Sequence, residues 1–313
     1  VAGSPLIFDC DPGVDDAIAL FMAFAAPEVF DIVAITTVGG NVDAALTARN
    51  ACLIRQLAQR EDAPVYAGAA APLVRAPIAA SHFHGASGLG DLDVFAPSAP
   101  VAPGVAADVI VEEVMRRAPR TVSLAVTGPM TNLALALRRE PALVSHLGPV
   151  VAMGGARSAG GNITASAEYN IFADPHAAHE VLTSGLRVTV VGLDATHQVR
   201  ATPQRIAAVK GIDTVGGRTV AQLLDFCVRT QKPLAGWDSP PLHDPCVIAY
   251  LLAPHLFRAV PVDLRIETQS SLTMGHTAVE FRLPDPAAAN ALWVTEADAD
   301  GVFALLLDLL GRG

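Results

Sequence analysis

Asp9-Cys10-Asp11-Pro12-Gly13-Val14-Asp15-Asp16 places four carboxylates within eight residues. The apolar run Pro5-Leu6-Ile7-Phe8 precedes it and Ala17-Ile18-Ala19-Leu20-Phe21-Met22 follows. The first run predicts a short buried strand, Pro12-Gly13 a tight turn, and the second run a helix. A strand end, a turn and a helix start therefore converge under dense negative charge. Carboxylates this close repel one another, and a bound cation relieves the repulsion. All-oxygen donors favour Ca²⁺ or Mg²⁺ over zinc. The plainer alternative is that Asp15 or Asp16 complements the helix macrodipole and the rest are solvated.

Outward from this stretch, strand and helix patterns alternate. Phe30–Val38 reads as a strand ending at Gly39-Gly40-Asn41, and about 43–60 as a helix with Asp43 as its cap. Val65–Ala67 predicts a third strand. A long stretch rich in Pro, Gly, Ala and Ser, 70–104, reads as a functional loop. A helix near 105–117, a strand 121–126, a helix through Leu137 and a strand 150–153 follow. A polar loop 156–173 leads to a helix near 175–184 and a strand 187–193. The alternation predicts an α/β fold: an open, mostly parallel central sheet with helices on both faces. In such sheets ligands bind beyond the carboxyl ends of the strands. The unusual polar residues fall at those ends: Asp9 to Asp16, Asn41, Thr127, Met153 to Asn170, and Asp194. Beyond about Thr202 the pattern turns helical, through Cys227 and again over 244–252. The stretches 260–267 and 277–283 predict a small accessory β-hairpin. A final helix, about 298–310, carries Val302, Leu305, Leu306, Leu309 and Leu310 on one face. With no sharp linker and no internal repeat, residues 1–313 read as one domain.

Composition narrows the function classes. With 21 Lys and Arg against 31 Asp and Glu, the net charge is -10. That argues against a nucleic-acid backbone as partner, which calls for a basic face. The four cysteines, Cys10, Cys52, Cys227 and Cys246, lack C-x-x-C spacing, so neither a zinc ribbon nor a disulfide framework is expected. A reducing, cytoplasmic setting fits that usage. The first strand begins almost at once, so no signal peptide is expected. No apolar run reaches the roughly 18 residues of a membrane helix, so no membrane partner is expected.

Several constellations invite chemistry. His243-Asp244-Pro245 stands at a loop-to-helix transition, so Asp244 reads as a remote metal ligand and His243 as facing substrate. His82 and His84 sit in the Gly/Ser-rich loop, where they contact a ligand or face solvent. His197 follows a strand end and reads as structural. Asn162, Glu168 and Asn170 supply the donors and acceptors that a polyhydroxylated ligand needs. Neither G-x-G-x-x-G nor a Walker lysine is present, so nucleotide phosphate binding by those loops is not supported. G-x-S-x-G is absent too, which weakens an α/β-hydrolase reading.

These motifs together resemble the inosine–uridine-preferring nucleoside hydrolases. The resemblance rests on the opening Asp9–Asp16 block, Ile35-Thr36-Thr37-Val38-Gly39-Gly40-Asn41, His82-Phe83-His84-Gly85 and Thr127-Gly128-Pro129-Met130-Thr131-Asn132-Leu133. It continues through Met153-Gly154-Gly155, Ala167-Glu168-Tyr169-Asn170-Ile171, Asp174-Pro175 and His243-Asp244-Pro245, in family order and over nearly the whole chain. The resemblance implies hydrolysis of the N-glycosidic bond of ribonucleosides to free base and ribose, with a tightly held Ca²⁺. It implies that Asp11, Asp16, the Thr127 carbonyl and Asp244 hold the ion, and that Asp11 is the base for water on it. Asp15, Asn41, Met153, Asn162, Glu168 and Asn170 would line the ribose pocket. His84 and His243 would lie toward the base, with His243 protonating the leaving group. Gln231 and Trp237 would contact the base, by hydrogen bond or by stacking. A ribonucleoside substrate, a homo-oligomer (dimer or tetramer) and a place in nucleoside salvage are likewise implied.

The chemistry accounts for these residue types. The sugar becomes oxocarbenium-like as the bond to the base breaks, so a carboxylate-rich pocket stabilises it. A histidine suits proton donation to the base near neutral pH. Two rivals stay in view: a Mg²⁺-dependent phosphohydrolase built on Asp9-x-Asp11, and a calcium-stabilised nucleoside- or sugar-binding protein without turnover.

Overall fold

The computed structural model of the chain describes residues 3–312. Its described residues form nine strands: β1 (Ser4–Cys10), β2 (Phe30–Thr37), β3 (Val65–Ala67), β4 (Val122–Val126), β5 (Leu147–Met153), β6 (Val188–Val191), β7 (Phe257–Ile266), β8 (Thr277–Glu280) and β9 (Ala291–Ala297). They make one sheet in the order β3-β2-β1-β4-β5-β6-β9-β7-β8. From β3 through β9 every neighbouring pair is parallel, and β7 is antiparallel to both β9 and β8.

Side-chain alternation in β1 feeds two cores. Leu6, Phe8 and Cys10 join the cluster under helices Val14–Phe24, Pro245–Leu252 and Ala299–Gly311, while Ile7 joins the opposite one. That opposite core lies under helices Ala106–Met115, Thr131–Arg139 and Pro175–Thr183. Both faces of the sheet are thus covered, as a hydrophobic parallel sheet requires.

The strand order fixes where a ligand can enter. From β1 the chain moves through β2 to β3 on one side, and from β4 through β5 to β6 on the other. The carboxyl ends of β1 and β4 therefore flank a topological switch point, where loops diverge and leave a crevice. Asp11 and Asp16 follow β1, and Thr127 follows β4.

The structure corrects several sequence expectations. The strands β7 and β8 pair as the predicted hairpin, but β7 also bonds to β9, so the hairpin extends the main sheet. Strand β9 was not expected; it fills the gap between β6 and β7 and buries Trp293. The helix beginning at Val215 runs through Ala235, past Cys227, and ends at Gly236 with φ of 74°. Pro233 lies in the last turn of this helix, where it has no N–H to give to the carbonyl four residues back. The long loop contains a single helical turn, Ser81–His84, that positions His84. In the last helix, Phe303 is buried, whereas Leu305 is only partly so. No described helix is long and apolar enough to cross a membrane.

Candidate active site

The site starts from the turn after β1. Gly13 caps helix Val14–Phe24, and its N–H donates to the Asp16 carboxylate at 2.9 Å. A side chain at Gly13 would collide with His84 and Asn41, with a Cβ 2.5 Å from His84 Nδ1 and 2.6 Å from Asn41 Nδ2. Glycine is therefore what allows the long loop and the β2 end to close on the helix start. The Val14 N–H donates to His84 Nδ1 at 3.1 Å, which leaves Nε2 as the protonated nitrogen of that ring.

Asp11 is fully buried. Its Oδ2 accepts from the Asn41 N–H at 2.8 Å, while its Oδ1 has no protein partner. Gly40 and Gly128 press on this carboxylate so closely that a Cβ at Gly40 would stand 2.0 Å from Oδ2. Asp16 accepts from Thr127 Oγ1 at 2.7 Å and from Asn41 Nδ2 at 3.1 Å. Behind them lies Asp9, held by Thr36 Oγ1 at 2.6 Å and Asn132 Nδ2 at 2.8 Å. Its second oxygen has no partner, and burial pushes its pKa up to about 7.

Carboxylate oxygens of Asp15, Asp16 and Asp244 lie within 4.8 Å of one another. Asp15 thus stands in the carboxylate group with Asp16 and Asp244, and Asp11 is not one of the three; Asp15 and Asp244 line the cavity, whereas Asp11 and Asp16 are buried behind its lining. Burial, then the neighbouring carboxylates, push Asp11 and Asp244 well above the usual carboxylate range and raise Asp16. Charges this confined are costly unless compensated. An unpartnered buried oxygen beside three clustered carboxylates fits a hard divalent cation, whose charge would return all of these groups to the ionised form.

Beside these carboxylates opens a cavity of about 350 Å³. Asp15, Asn41, Met153, Asn162, Glu168 and Asn170 line it, together with His84, Gln231, Trp237 and His243. Glu168 caps helix Tyr169–Ala173 and accepts from the N–H groups of Gly155, Asn170 and Ile171, at 2.9, 2.9 and 3.2 Å. Asn170 Nδ2 donates to the Thr127 carbonyl at 2.6 Å and to that of Met153 at 3.2 Å. Asn162 Oδ1 accepts from the Tyr169 N–H at 2.9 Å. These polar residues are therefore held by backbone contacts at the ends of β4 and β5 and in the first turn of helix Tyr169–Ala173.

Burial, then His84 and Arg200, push His243 down to about 4. Its Nδ1 lies 2.9 Å from Thr196 Oγ1. His197, expected to be structural, lines the cavity: its ring is 5.9 Å from that of His243 and edge-on to Trp237 at 5.3 Å. Arg200 covers a face of Trp237, with its guanidinium carbon 3.5 Å from the ring centre. Nothing near His197 in sequence signals this, because its partners come from the segment that ends the long helix. His82 is exposed, unlike His84. Asp194 accepts from the N–H groups of Arg157, Ser158 and Ala159 and anchors the loop that carries Asn162.

The family model for inosine-uridine preferring nucleoside hydrolase matches residues 6–304. An inosine-uridine preferring nucleoside hydrolase of Crithidia fasciculata is 39% identical over 308 residues, covering 98% of this chain and 97% of that protein. A pyrimidine-specific ribonucleoside hydrolase RihA of Shewanella sp. strain ANA-3 is 42% identical over 307 residues, covering 98% and 96%. Among solved structures, a purine-preferring ribonucleoside hydrolase from Gardnerella vaginalis superposes with a TM-score of 0.91 at 28% identity, covering 99% of this chain and all of that one.

Proposed function

The chain belongs to the inosine-uridine preferring nucleoside hydrolase family and is a ribonucleoside hydrolase; from that premise we propose which residues carry the reaction. The observation that carries the reading is the buried Asp11 Oδ1, without a protein partner, on a carboxylate hydrogen-bonded to Asn41 in the lining of the polar cavity at the switch point. In this reading Asp11, Asp16, the Thr127 carbonyl and Asp244 hold a Ca²⁺ ion. When bound, calcium supplies positive charge that orients water and makes it more acidic. Asp11 accepts the proton from the attacking water at Oδ1 while the Asn41 N–H holds Oδ2.

As water oxygen bonds to C1′, the C1′–N bond breaks and its electron pair leaves with the base. Positive charge spreads over the ribose ring, and the negative field of the carboxylates stabilises it. Asp15, Asn41, Asn162, Glu168 and Asn170 bind the ribose hydroxyls, and Met153 packs beneath the sugar. His243, uncharged near neutral pH with its pKa pushed down to about 4, donates a proton to the departing base from its imidazolium form, and His84 Nε2 donates a hydrogen bond. Gln231 offers an amide to the base edge and Trp237 a ring. Relatives named for pyrimidine and for purine preference both resemble this chain, so the base wall is where preference is set. The whole chain, 1–313, acts as one domain in this reading.

Product analysis on inosine, uridine, cytidine and adenosine tests the reaction. Free base and ribose should appear in equal amounts, and nucleotides should be left intact. Phosphate release from nucleotides, with nucleosides untouched, would overturn the assignment.

A further inference from the structure

We propose that Thr196 is a positioning residue that presents His243 to the leaving base. This rests on reading His243 as the proton donor. Thr196 is fully buried at the end of the short helix Leu193–Thr196, directly after β6. Its Oγ1 meets His243 Nδ1 at 2.9 Å, across 47 residues of sequence. With Nδ1 engaged from behind, Nε2 is the nitrogen left for the cavity that His243 lines.

The choice of a hydroxyl has a consequence. A threonine O–H both donates and accepts. It donates to a bare Nδ1 and accepts from a protonated one, so the ring keeps its hold in either state. A carboxylate in its place would only accept, and would favour the imidazolium. The hydroxyl therefore fixes orientation without committing the ring to one protonation state.

The contact is also framed so that it can be removed cleanly. The Leu242 N–H donates to the Val199 carbonyl at 2.9 Å, and the Ala201 N–H donates to that of Pro240 at 2.8 Å. These two backbone bonds tie together the segments carrying Thr196 and His243. The His197 ring beside His243 gives contact but no hydrogen bond among the described residues. Losing the Thr196 hydroxyl should leave the two segments joined and the imidazole free to turn.

The test compares Thr196→Val, Thr196→Ser, His243→Ala and the double variant Thr196→Val/His243→Ala. Inosine and uridine serve as substrates beside 4-nitrophenyl riboside, whose phenolate leaves without a proton. Thr196→Val should lower kcat on the nucleosides by about 10- to 100-fold, and on the aryl riboside by no more than about 3-fold. Thr196→Ser should restore most of the loss. In the His243→Ala background, Thr196→Val should add nothing, because both changes remove one function. If the valine variant does not fold, Thr196→Ala carries the same comparison. A nucleoside kcat within about 2-fold of the parent, equal losses on both substrate classes, or additive losses in the double variant would overturn the proposal. If His243→Ala itself shows no preference between the substrate classes, the reading of His243 falls and takes this one with it. If His243→Ala is selective and Thr196→Val is not, only the role of Thr196 falls.

Discussion

Asp11→Asn will lower kcat on every nucleoside substrate by about 1,000-fold or more, with little loss of folding stability. The two halves of this expectation have separate causes. An asparagine carbonyl can still accept from the Asn41 N–H, so the local bond at Oδ2 survives. The variant also removes one buried charge whose pKa burial and Asp16 push far up. What it cannot do is take a proton from water. Lengthening the side chain should not rescue activity, because Gly40 and Gly128 already crowd the carboxylate. Steady-state kinetics with a melting curve on the same sample checks both halves. An Asp11→Asn protein that keeps kcat within about tenfold of the parent would remove Asp11 from the role of base.

Stripping divalent cations should abolish turnover, and Ca²⁺ should restore it. At a hundredfold excess over its dissociation constant, a ligand bound only by the folded state contributes about 2.7 kcal/mol. For a chain of this size that raises Tm by about 4 °C. The gain should grow with pH. Asp11, Asp16 and Asp244 have folded pKa values raised above 3.8, and Asp9 is raised to about 7. The folded, cation-free protein therefore holds these protons more tightly than the unfolded chain. That contribution is fully present below the ordinary carboxylate range and is lost as pH rises through the raised values. His197 and His243 act in the opposite sense, since their values are pushed down to about 4 and their stabilisation is lost as pH falls from 6.5. The clean window is thus from about pH 7.5 upward, where both histidines are almost wholly neutral in either state. Melting curves with Ca²⁺ and with chelator across that window should diverge as pH rises. Curves that stay parallel, or a chelated enzyme with undiminished turnover, would contradict a cation at the carboxylates.

Much of this was legible in the chain because the decisive signals are local. An apolar run, Pro12-Gly13 and a second apolar run predict β1, the turn and the helix, and the structure places them so. Parallel alternation through β6 follows from the same kind of pattern. What local pattern cannot carry is pairing. The run Leu292-Trp293-Val294-Thr295 is a strand because β6 and β7 each present it an edge. That partnership also turns the accessory hairpin into the rim of the main sheet. His197 is the site's counterpart: its neighbours Trp237 and His243 reach it only when the end of the long helix folds back. Motif order pointed to Asp244, His84, Asn41, Asn162, Glu168 and Asn170, which line one cavity, and to Asp16, which groups with Asp244. The dense carboxylates alone point to Asp15 and Asp16 with Asp244 as a remote partner, and these three do group. The resemblance instead implied Asp11 in place of Asp15, and which carboxylate turns inward in a crowded turn depends on contacts such as Asn41 to Asp11 and Asp16.

The most direct test of the central claim is hydrolysis of inosine or uridine in ¹⁸O-labelled water, with Ca²⁺ and with chelator, followed by mass spectrometry of both products. Water attack at C1′ directed by the carboxylate site predicts one ¹⁸O in the ribose, none in the base, and no products in chelator. Label in the base, a sugar product formed only when phosphate is supplied, or full turnover in chelator would contradict it.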